Sequence, residues 1–105
     1  MPELTKDADR VICCIYKEYL ERRKSGISKS EAKEFDGNFY KSIKVLSKWN
    51  SSDVSDTLRE LHEKGLIKQN VLGDFDLLDT AIIYMENRFK KGLDEITDFI
   101  SKFIP

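Results

Sequence analysis

The stretch SSDVSDTLRELHEKGLIKQNVLGDFDLLD, residues 51–79, decides the fold. Its first half has the periodicity of an amphipathic helix, and Gly65 stands where a left-handed residue ends a helix. Two short segments follow, LIK at 66–68 and FDLL at 75–78, with the turn-forming pair Gly73-Asp74 between them. A helix that leads directly into a two-stranded hairpin is typical of a winged helix. We therefore predict an α+β, mostly helical fold, a winged helix-turn-helix with a two-stranded wing.

The helix from Asp53 to Lys64 takes the place of the recognition helix in such a fold. Ser51 or Ser52 is predicted to cap its start. The residues expected to face outward are Ser55, Asp56, Thr57, Arg59, Glu60, His62 and Glu63. The helix holds four acids against two bases, whereas a helix that contacts DNA bases normally offers Arg, Lys, Asn or Gln. Because DNA phosphates repel acids, this composition disfavours DNA binding through the helix alone.

The N-terminal part of the chain is predicted to begin with a long amphipathic helix. Apolar residues recur at helical spacing over residues 7–24, and they are expected to form one buried stripe. Thr5 or Asp7 is placed to cap the start of this helix, and Ser25-Gly26 is placed to end it.

Two shorter segments lie between the first helix and residue 51. A short helix capped by Ser28 or Ser30 is predicted to run through Phe35. For FYKSIKVLSKWN, residues 39–50, the spacing of apolar side chains favours a helix, although the segment 43–45 would also fit an extended strand.

The C-terminal segment is predicted to form one long helix over residues 80–104. Apolar residues recur along it at intervals of three and four, and Gly92 fills the one vacancy. A small core leaves little room for all of these side chains, and left exposed they would form a large apolar patch. The residues in question are Phe89, Leu93, Ile96, Phe99, Ile100 and Phe103.

Four alternatives account for this apolar stripe. It packs against the first helix, or it forms the seam of a homodimer, or it lies in the groove of a different partner protein, or it lies in a membrane interface. Acids at 94, 95 and 98 on the polar side disfavour the membrane.

Length and composition place the chain among single globular domains. With 105 residues, 40% of them apolar, one core is the expectation, and the domain covers residues 1–105. No apolar run is long enough for a membrane-spanning helix, and MPELTKDADR lacks the pattern of an export signal. Cys13 and Cys14 are adjacent, which disfavours a disulfide, so we expect reduced thiols in or beside the core of a cytoplasmic protein.

The net charge of −1 hides a segregation of charge. Residues 17–48 hold nine bases against five acids, whereas residues 49–105 hold seven bases against eleven acids. The middle of the chain is therefore the part expected to meet an anionic partner such as double-stranded DNA. The candidate DNA-binding residues are Arg22, Arg23, Lys29, Lys33, Lys41, Lys44, Lys48, Arg59 and Lys68.

No catalytic, metal or cofactor site is predicted. The sequence has neither a nucleophile motif nor a glycine-rich phosphate loop. His62 is the single histidine and has no Cys or Asp at ligand spacing. Asp74 and Asp76 lack the ligand series and final glutamate of a calcium loop, so we interpret them as turn acids. We expect neither an enzyme nor a small-molecule substrate.

Three segments together carry a family resemblance. They are VICCIYKEYLERRKSGISKSEAKEF at 11–35, LRELHEKGLI at 58–67 and LLDTAIIYMENRFKKGL at 77–93. In these segments the chain resembles small winged-helix proteins of phages and prophages of Gram-positive bacteria. The wider winged-helix class implies DNA binding, often as a dimer through a terminal helix. The acidic outward side of residues 53–64 departs from that class.

Two functional hypotheses follow. The first is a DNA-binding or transcription-regulatory protein, and it predicts that Arg22, Arg23, Lys29 and Lys44 share a face with the outward side of residues 53–64. The alternative is a protein–protein interaction module, with itself or another chain as partner and without nucleic-acid binding. Scattered bases would favour this alternative.

Overall fold

The computed structural model describes residues 3–103, and within them five α-helices, one 3-10 helix and three short strands. In chain order they are α1 (Lys6–Lys24), α2 (Lys29–Ala32), β1 (Glu34–Phe35), the 3-10 helix (Phe39–Ser42), α3 (Ser51–Glu63), β2 (Ile67–Gln69), β3 (Phe75–Leu77), α4 (Asp79–Arg88) and α5 (Leu93–Ser101). The predicted α+β, mostly helical class is confirmed, and the strands form one antiparallel sheet.

The helix α1 is the central element of the fold. Thr5 caps it as predicted, since its hydroxyl oxygen accepts a hydrogen bond from the amide of Ala8 at 3.2 Å, and Ser25 ends it. All side chains of residues 11–16 are buried, and α1 packs against α3, α4 and α5. Its buried face is therefore wider than the single stripe that the sequence predicts.

The helix α3 begins one residue earlier than the predicted caps allow. Asn50 is the cap, and its side-chain oxygen accepts a hydrogen bond from the amide of Ser52 at 2.9 Å. At the other end Gly65 has a φ of 76°, and the amide of Leu66 donates to the carbonyl of Leu61 at 3.0 Å. This is the predicted glycine-terminated end, and it turns the chain into β2.

The sheet has the strand order β1-β3-β2. The predicted hairpin is confirmed, because Ile67 pairs with Leu77 and Gln69 pairs with Phe75. Side chains alternate along β3, with Phe75 and Leu77 buried and Asp76 exposed. One face of the hairpin therefore lies on the core.

The strand β1 replaces the end of a predicted helix. Ser28 caps α2, but α2 ends at Ala32 and does not reach Phe35. The carbonyl of Lys33 accepts a hydrogen bond from the amide of Leu77 at 2.8 Å, which draws the next residues onto β3. The prediction was wrong because this pairing depends on a segment forty or more residues away.

Residues 39–50 do not form the predicted α-helix. Only Phe39–Ser42 is helical, as a 3-10 helix, and turns follow to residue 48. The amides of Ile43, Leu46 and Trp49 each donate to the carbonyl three residues earlier. Apolar residues recur here at an interval of three, the period of a 3-10 helix, and over so short a segment this pattern resembles that of an α-helix.

The C-terminal segment forms two helices where one helix over residues 80–104 was predicted. Between α4 and α5, Gly92 has a φ of 74° and a ψ of −134°, which no α-helix accommodates. The break lets the rings of Phe89 and Phe99 approach to 5.4 Å between centroids, and α5 packs along α1. Residue 104 lies outside the described residues.

A single hydrophobic core unites the helices and the sheet. Its fully buried side chains include Ile12, Leu61, Phe75, Met85 and Ile96, which come from α1, α3, β3, α4 and α5. Over residues 3–103 we find no helix with the length and apolar character needed to cross a membrane.

Candidate functional site

The outward face of α3 is acidic. Asp53, Asp56 and Glu63 are exposed, and the one arginine of the helix, Arg59, lies 3.6 Å from the carboxylate of Asp56. Both partners of this ion pair are exposed, so it adds little stability, but it offsets the charge of the arginine. The face carries net negative charge towards any approaching ligand.

Two residues that were predicted to face outward from α3 are engaged in the fold. Thr57 is buried, and its hydroxyl donates to the carbonyl of Asp53 at 2.7 Å. The carboxylate of Glu60 accepts hydrogen bonds from the backbone amide and the hydroxyl of Thr5, at 2.9 and 2.8 Å. Glu60 therefore fastens α3 to the start of α1.

Arg22, a candidate DNA-binding residue, is a structural link. Its guanidinium donates to the carbonyls of Ala32 and Glu34, at 3.2 and 2.6 Å, and lies 4.2 Å from the centre of the Phe35 ring. These contacts hold α2 and β1 against α1. The side chain is not free to contact a phosphate without giving up these bonds.

Three more candidate bases lie beside the start of α4. The ammonium groups of Lys33 and Lys29 are 2.5 and 3.9 Å from a carboxylate oxygen of Asp79. The hydrogen bond from Lys33, together with the charges of Lys29 and Lys33, lowers the pKa of Asp79. Arg23 donates to the carbonyl of Ile27 at 3.1 Å.

The other candidate bases are exposed lysines. Lys41 lies in the 3-10 helix, Lys44 and Lys48 lie in the turns that lead into α3, and Lys68 lies on β2. Within residues 3–103 none of the four forms an ion pair.

The four bases that the DNA-binding hypothesis places on one face have different surroundings in the structure. Arg23 and Lys29 line a surface depression against α4, whereas Lys44 lines another depression of about 270 Å³ between α1 and α5. Neither depression includes a residue of α3. Arg22, as described, is bound to backbone carbonyls.

The apolar stripe of the C-terminal segment lies inside the single chain. Phe89, Ile96 and Ile100 are buried, Leu93 and Phe99 are partly buried against the same core, and Phe103 is half-buried beside the ring of Phe99. α5 packs along α1, which is the first of the four alternatives. Three of the six residues assigned to a dimer seam are buried in this packing, and the other three keep part of their surface exposed.

Both cysteines are buried thiols. Burial raises the pKa of Cys13 and of Cys14 to about 12, so neither is a nucleophile at neutral pH. His62 accepts a hydrogen bond from the amide of Gln69 at 3.2 Å. The part of the chain that the structure describes contains no cluster of His, Cys, Asp and Glu fit to hold a metal ion.

The most unusual surface feature is the tip of the β2–β3 hairpin. Val71 is fully exposed and Leu72 is 86% exposed. The turn is held by Asn70, whose amide donates to the carbonyl of Asp74 at 2.9 Å and whose side-chain oxygen accepts from the amide of Leu72 at 3.0 Å. Two branched apolar side chains are thus presented to solvent on an ordered turn.

The exposed tip was not predicted from the sequence. The signal was present, since Val71 and Leu72 interrupt an otherwise polar hairpin turn between Asn70 and Gly73. A loop at this place needs neither side chain for turn formation, and neither reaches the core.

Acidic side chains surround the base of the tip. Glu34, Asp36, Asp74 and Asp76 line one depression beside the hairpin. Asp74 also accepts a hydrogen bond from the amide of Gly37 at 3.2 Å, which fixes the turn at residues 36–38 against the hairpin. The tip is therefore apolar at its end and negatively charged at its side.

Comparison with known proteins gives no assignment. No protein-family model, no curated protein and no solved structure matches the chain.

Proposed function

We propose that this chain is a winged-helix protein that acts by binding another protein, with the tip of the β2–β3 hairpin as its contact. The observation that carries the proposal is the exposure of Val71 and Leu72 at the end of an ordered turn. Because the side of the hairpin and the outward face of α3 are acidic, they favour a protein partner over a nucleic acid.

The order of elements supports the winged-helix frame. The chain order is helix (α1), strand (β1), two helices (the 3-10 helix and α3) and a two-stranded hairpin (β2–β3). The short α2 is inserted before β1. The hairpin follows α3 directly through Gly65 and joins β1 in one sheet. In this frame the hairpin is the wing.

The free energy of burial favours a contact at the tip. Transfer of a Val and a Leu side chain from water to a protein pocket contributes about 3–6 kcal/mol in total before the costs of association. Since the hydrogen bonds of Asn70 already order the turn, little further entropy is lost on binding.

Photo-crosslinking in cells of the source organism tests this function. A photoreactive phenylalanine analogue placed at position 72 is expected to form a discrete protein adduct, and the same analogue at the exposed position of Lys48 is not. Excess wild-type protein should suppress the adduct, whereas the Val71→Ser/Leu72→Ser variant should not. Equal adducts at both positions, or suppression by the double variant, would contradict the proposal.

DNA binding is the second candidate, and the three lysines before α3 favour it. Lys41, Lys44 and Lys48 are exposed, and inside the described region they have no acidic partner within ion-pair distance. Titration of a labelled DNA duplex tests it: DNA binding requires an affinity that falls steeply with salt and falls further in Lys44→Glu. Binding with that behaviour, and no adduct at position 72, would favour this second candidate over the first.

A further inference from the structure

A second apolar surface lies between α1 and α4. Leu20 and Ile83 line a shallow depression there. Ile83 is 58% exposed although its neighbour Ile82 is buried. An isoleucine on the outward side of a helix has no role in the core of its own chain.

The two walls of this depression carry opposite charges. Arg23 and Lys29 stand on the side of α1 and α2, and Asp79 and Glu86 stand on the side of α4. Asp79 is already paired with Lys33 and Lys29. In the described part of the chain, Arg23 and Glu86 take part in no ion pair.

We infer that this α1–α4 surface binds a second copy of the chain in a two-fold symmetric dimer. A two-fold interface brings the same patch of both copies together, so each patch must be complementary to itself. An apolar centre between a basic wall and an acidic wall meets this condition, because rotation of one copy sets its acidic wall against the basic wall of the other. Ile83 then packs near the axis, and Arg23 of each copy pairs with Glu86 of the other.

The same charges disfavour other occupants. Glu86 would repel a nucleic acid or an anionic membrane from the α4 wall, and a strongly acidic or basic protein would match only one of the two walls. The dimer leaves the hairpin tip free, because Val71 and Leu72 line no part of the depression. The inference thus stands independently of the proposed function.

Sedimentation velocity with light scattering tests the dimer. The wild type is expected to have twice the chain mass of 12.2 kDa at micromolar concentration. Ile83→Glu should weaken the dimer by about 100-fold or more, because each substitution occurs twice in a two-fold interface and a tenfold change corresponds to about 1.4 kcal/mol. Leu72→Glu is the matched control, since it places the same charge at another exposed apolar position and should leave the dimer unchanged.

Charge exchange keeps the test independent of any effect of Ile83 on folding. Arg23→Glu and Glu86→Lys should each weaken the dimer by about tenfold, and the double variant should recover most of the loss. A wild type that stays monomeric at high concentration would overturn the inference. So would a dimer that survives both Ile83→Glu and the single charge variants, or one that Leu72→Glu dissociates equally well.

Discussion

Asp9 and Arg88 join the first turn of α1 to the last turn of α4 by an ion pair with two hydrogen bonds. One guanidinium nitrogen donates to Oδ1 of Asp9 and the other donates to Oδ2, the latter at 3.0 Å. Arg88 also lies 4.9 Å from the ring centres of Phe89 and Phe99. The hydrogen bonds to Asp9 raise the pKa of Arg88, so its guanidinium stays charged throughout the neutral range. It holds the start of the C-terminal break against α1.

Loss of the charge of Asp9 should destabilise the chain measurably. Asp9→Asn is expected to lower the free energy of unfolding by about 1–3 kcal/mol, because it leaves a partly buried guanidinium without its anion. Urea unfolding followed by the fluorescence of Trp49, the single tryptophan, measures the change. Asp7→Asn is the control, since Asp7 also lies in the first turn of α1 but is exposed and makes no ion pair within residues 3–103. Equal losses in the two variants would show that only the helix dipole is involved.

We expect the hydrogen bonds of Arg22, and not its positive charge alone, to stabilise the fold. Arg22→Lys keeps the positive charge but removes the guanidinium, whose Nη1 donates to the carbonyls of Ala32 and Glu34 and which lies over the ring of Phe35, and should lower the free energy of unfolding by about 1–2 kcal/mol. Arg59→Lys is the matched control, since Arg59 is exposed and its ion pair with Asp56 adds little stability, and we expect a change within about 0.5 kcal/mol. Denaturant unfolding of both variants measures the difference. A loss confined to Arg59→Lys would refute the role assigned to Arg22.

The two thiols should be protected from reaction in the folded chain. Cys13 and Cys14 are buried in α1, and burial raises the pKa of each to about 12, so both the thiolate and access to it are lacking. Ellman's reagent at mildly alkaline pH should therefore titrate no thiol in the native protein and two thiols per chain in concentrated guanidinium chloride. Fast reaction of one thiol under native conditions would contradict the buried position.

The same burial predicts a loss of stability at high pH. The ordinary pKa of a thiol is 9.0, and in the fold the pKa of both cysteines is about 12, so the unfolded chain releases protons first. The stabilisation is complete below pH 9.0 and is lost as the pH rises towards 12. Burial also raises the pKa of Tyr16, from 10.0 to about 12, which adds to the loss. Thermal unfolding across this range measures it, and Cys13→Ala/Cys14→Ala should show a shallower decline.

Local sequence signals predicted the parts of the fold that local chemistry determines. The cap at Thr5, the helix end at Gly65 and the hairpin turn at Gly73-Asp74 each depend on residues within a few positions of one another. Such signals work without knowledge of the remaining chain. They located α1, α3 and the hairpin.

Contacts between distant segments determine what the sequence could not predict. β1 exists because Phe35 pairs with Phe75, and Arg22 is withdrawn from the surface because the carbonyls of Ala32 and Glu34 come within its reach. The count of charged residues gives no information about such hydrogen bonds, so it predicted that Arg22 binds an anionic partner. For the same reason, composition alone could not show whether the candidate DNA-binding bases lie on one face.

Both local sequence and long-range packing determine the break between α4 and α5. A glycine at position 92 is compatible with one continuous helix whose apolar stripe lacks one side chain. It is equally compatible with a left-handed turn between two helices. Only the packing of α5 along α1 decides between them, since a continuous helix would leave Ile96 and Ile100 uncovered. The packing of α5 along α1 therefore determines the backbone angles of Gly92.

Replacement of Gly92 gives a prediction whose sign separates the two structures. In a continuous helix, Gly92→Ala would stabilise the chain by about 0.8–1 kcal/mol, because alanine favours the helical conformation. At a φ of 74° and a ψ of −134° an alanine is strained, so Gly92→Ala should instead lower the free energy of unfolding by about 1–3 kcal/mol.

The loss arises from the backbone alone, because a Cβ atom at Gly92 meets no other atom within 4 Å. Thr97→Ala is the matched control, since Thr97 is exposed within α5, where alanine should stabilise slightly. Urea unfolding at several protein concentrations separates this effect from any change in association. Stabilisation by both substitutions would favour one continuous helix, whereas opposite signs would establish the break that carries α5 back onto α1.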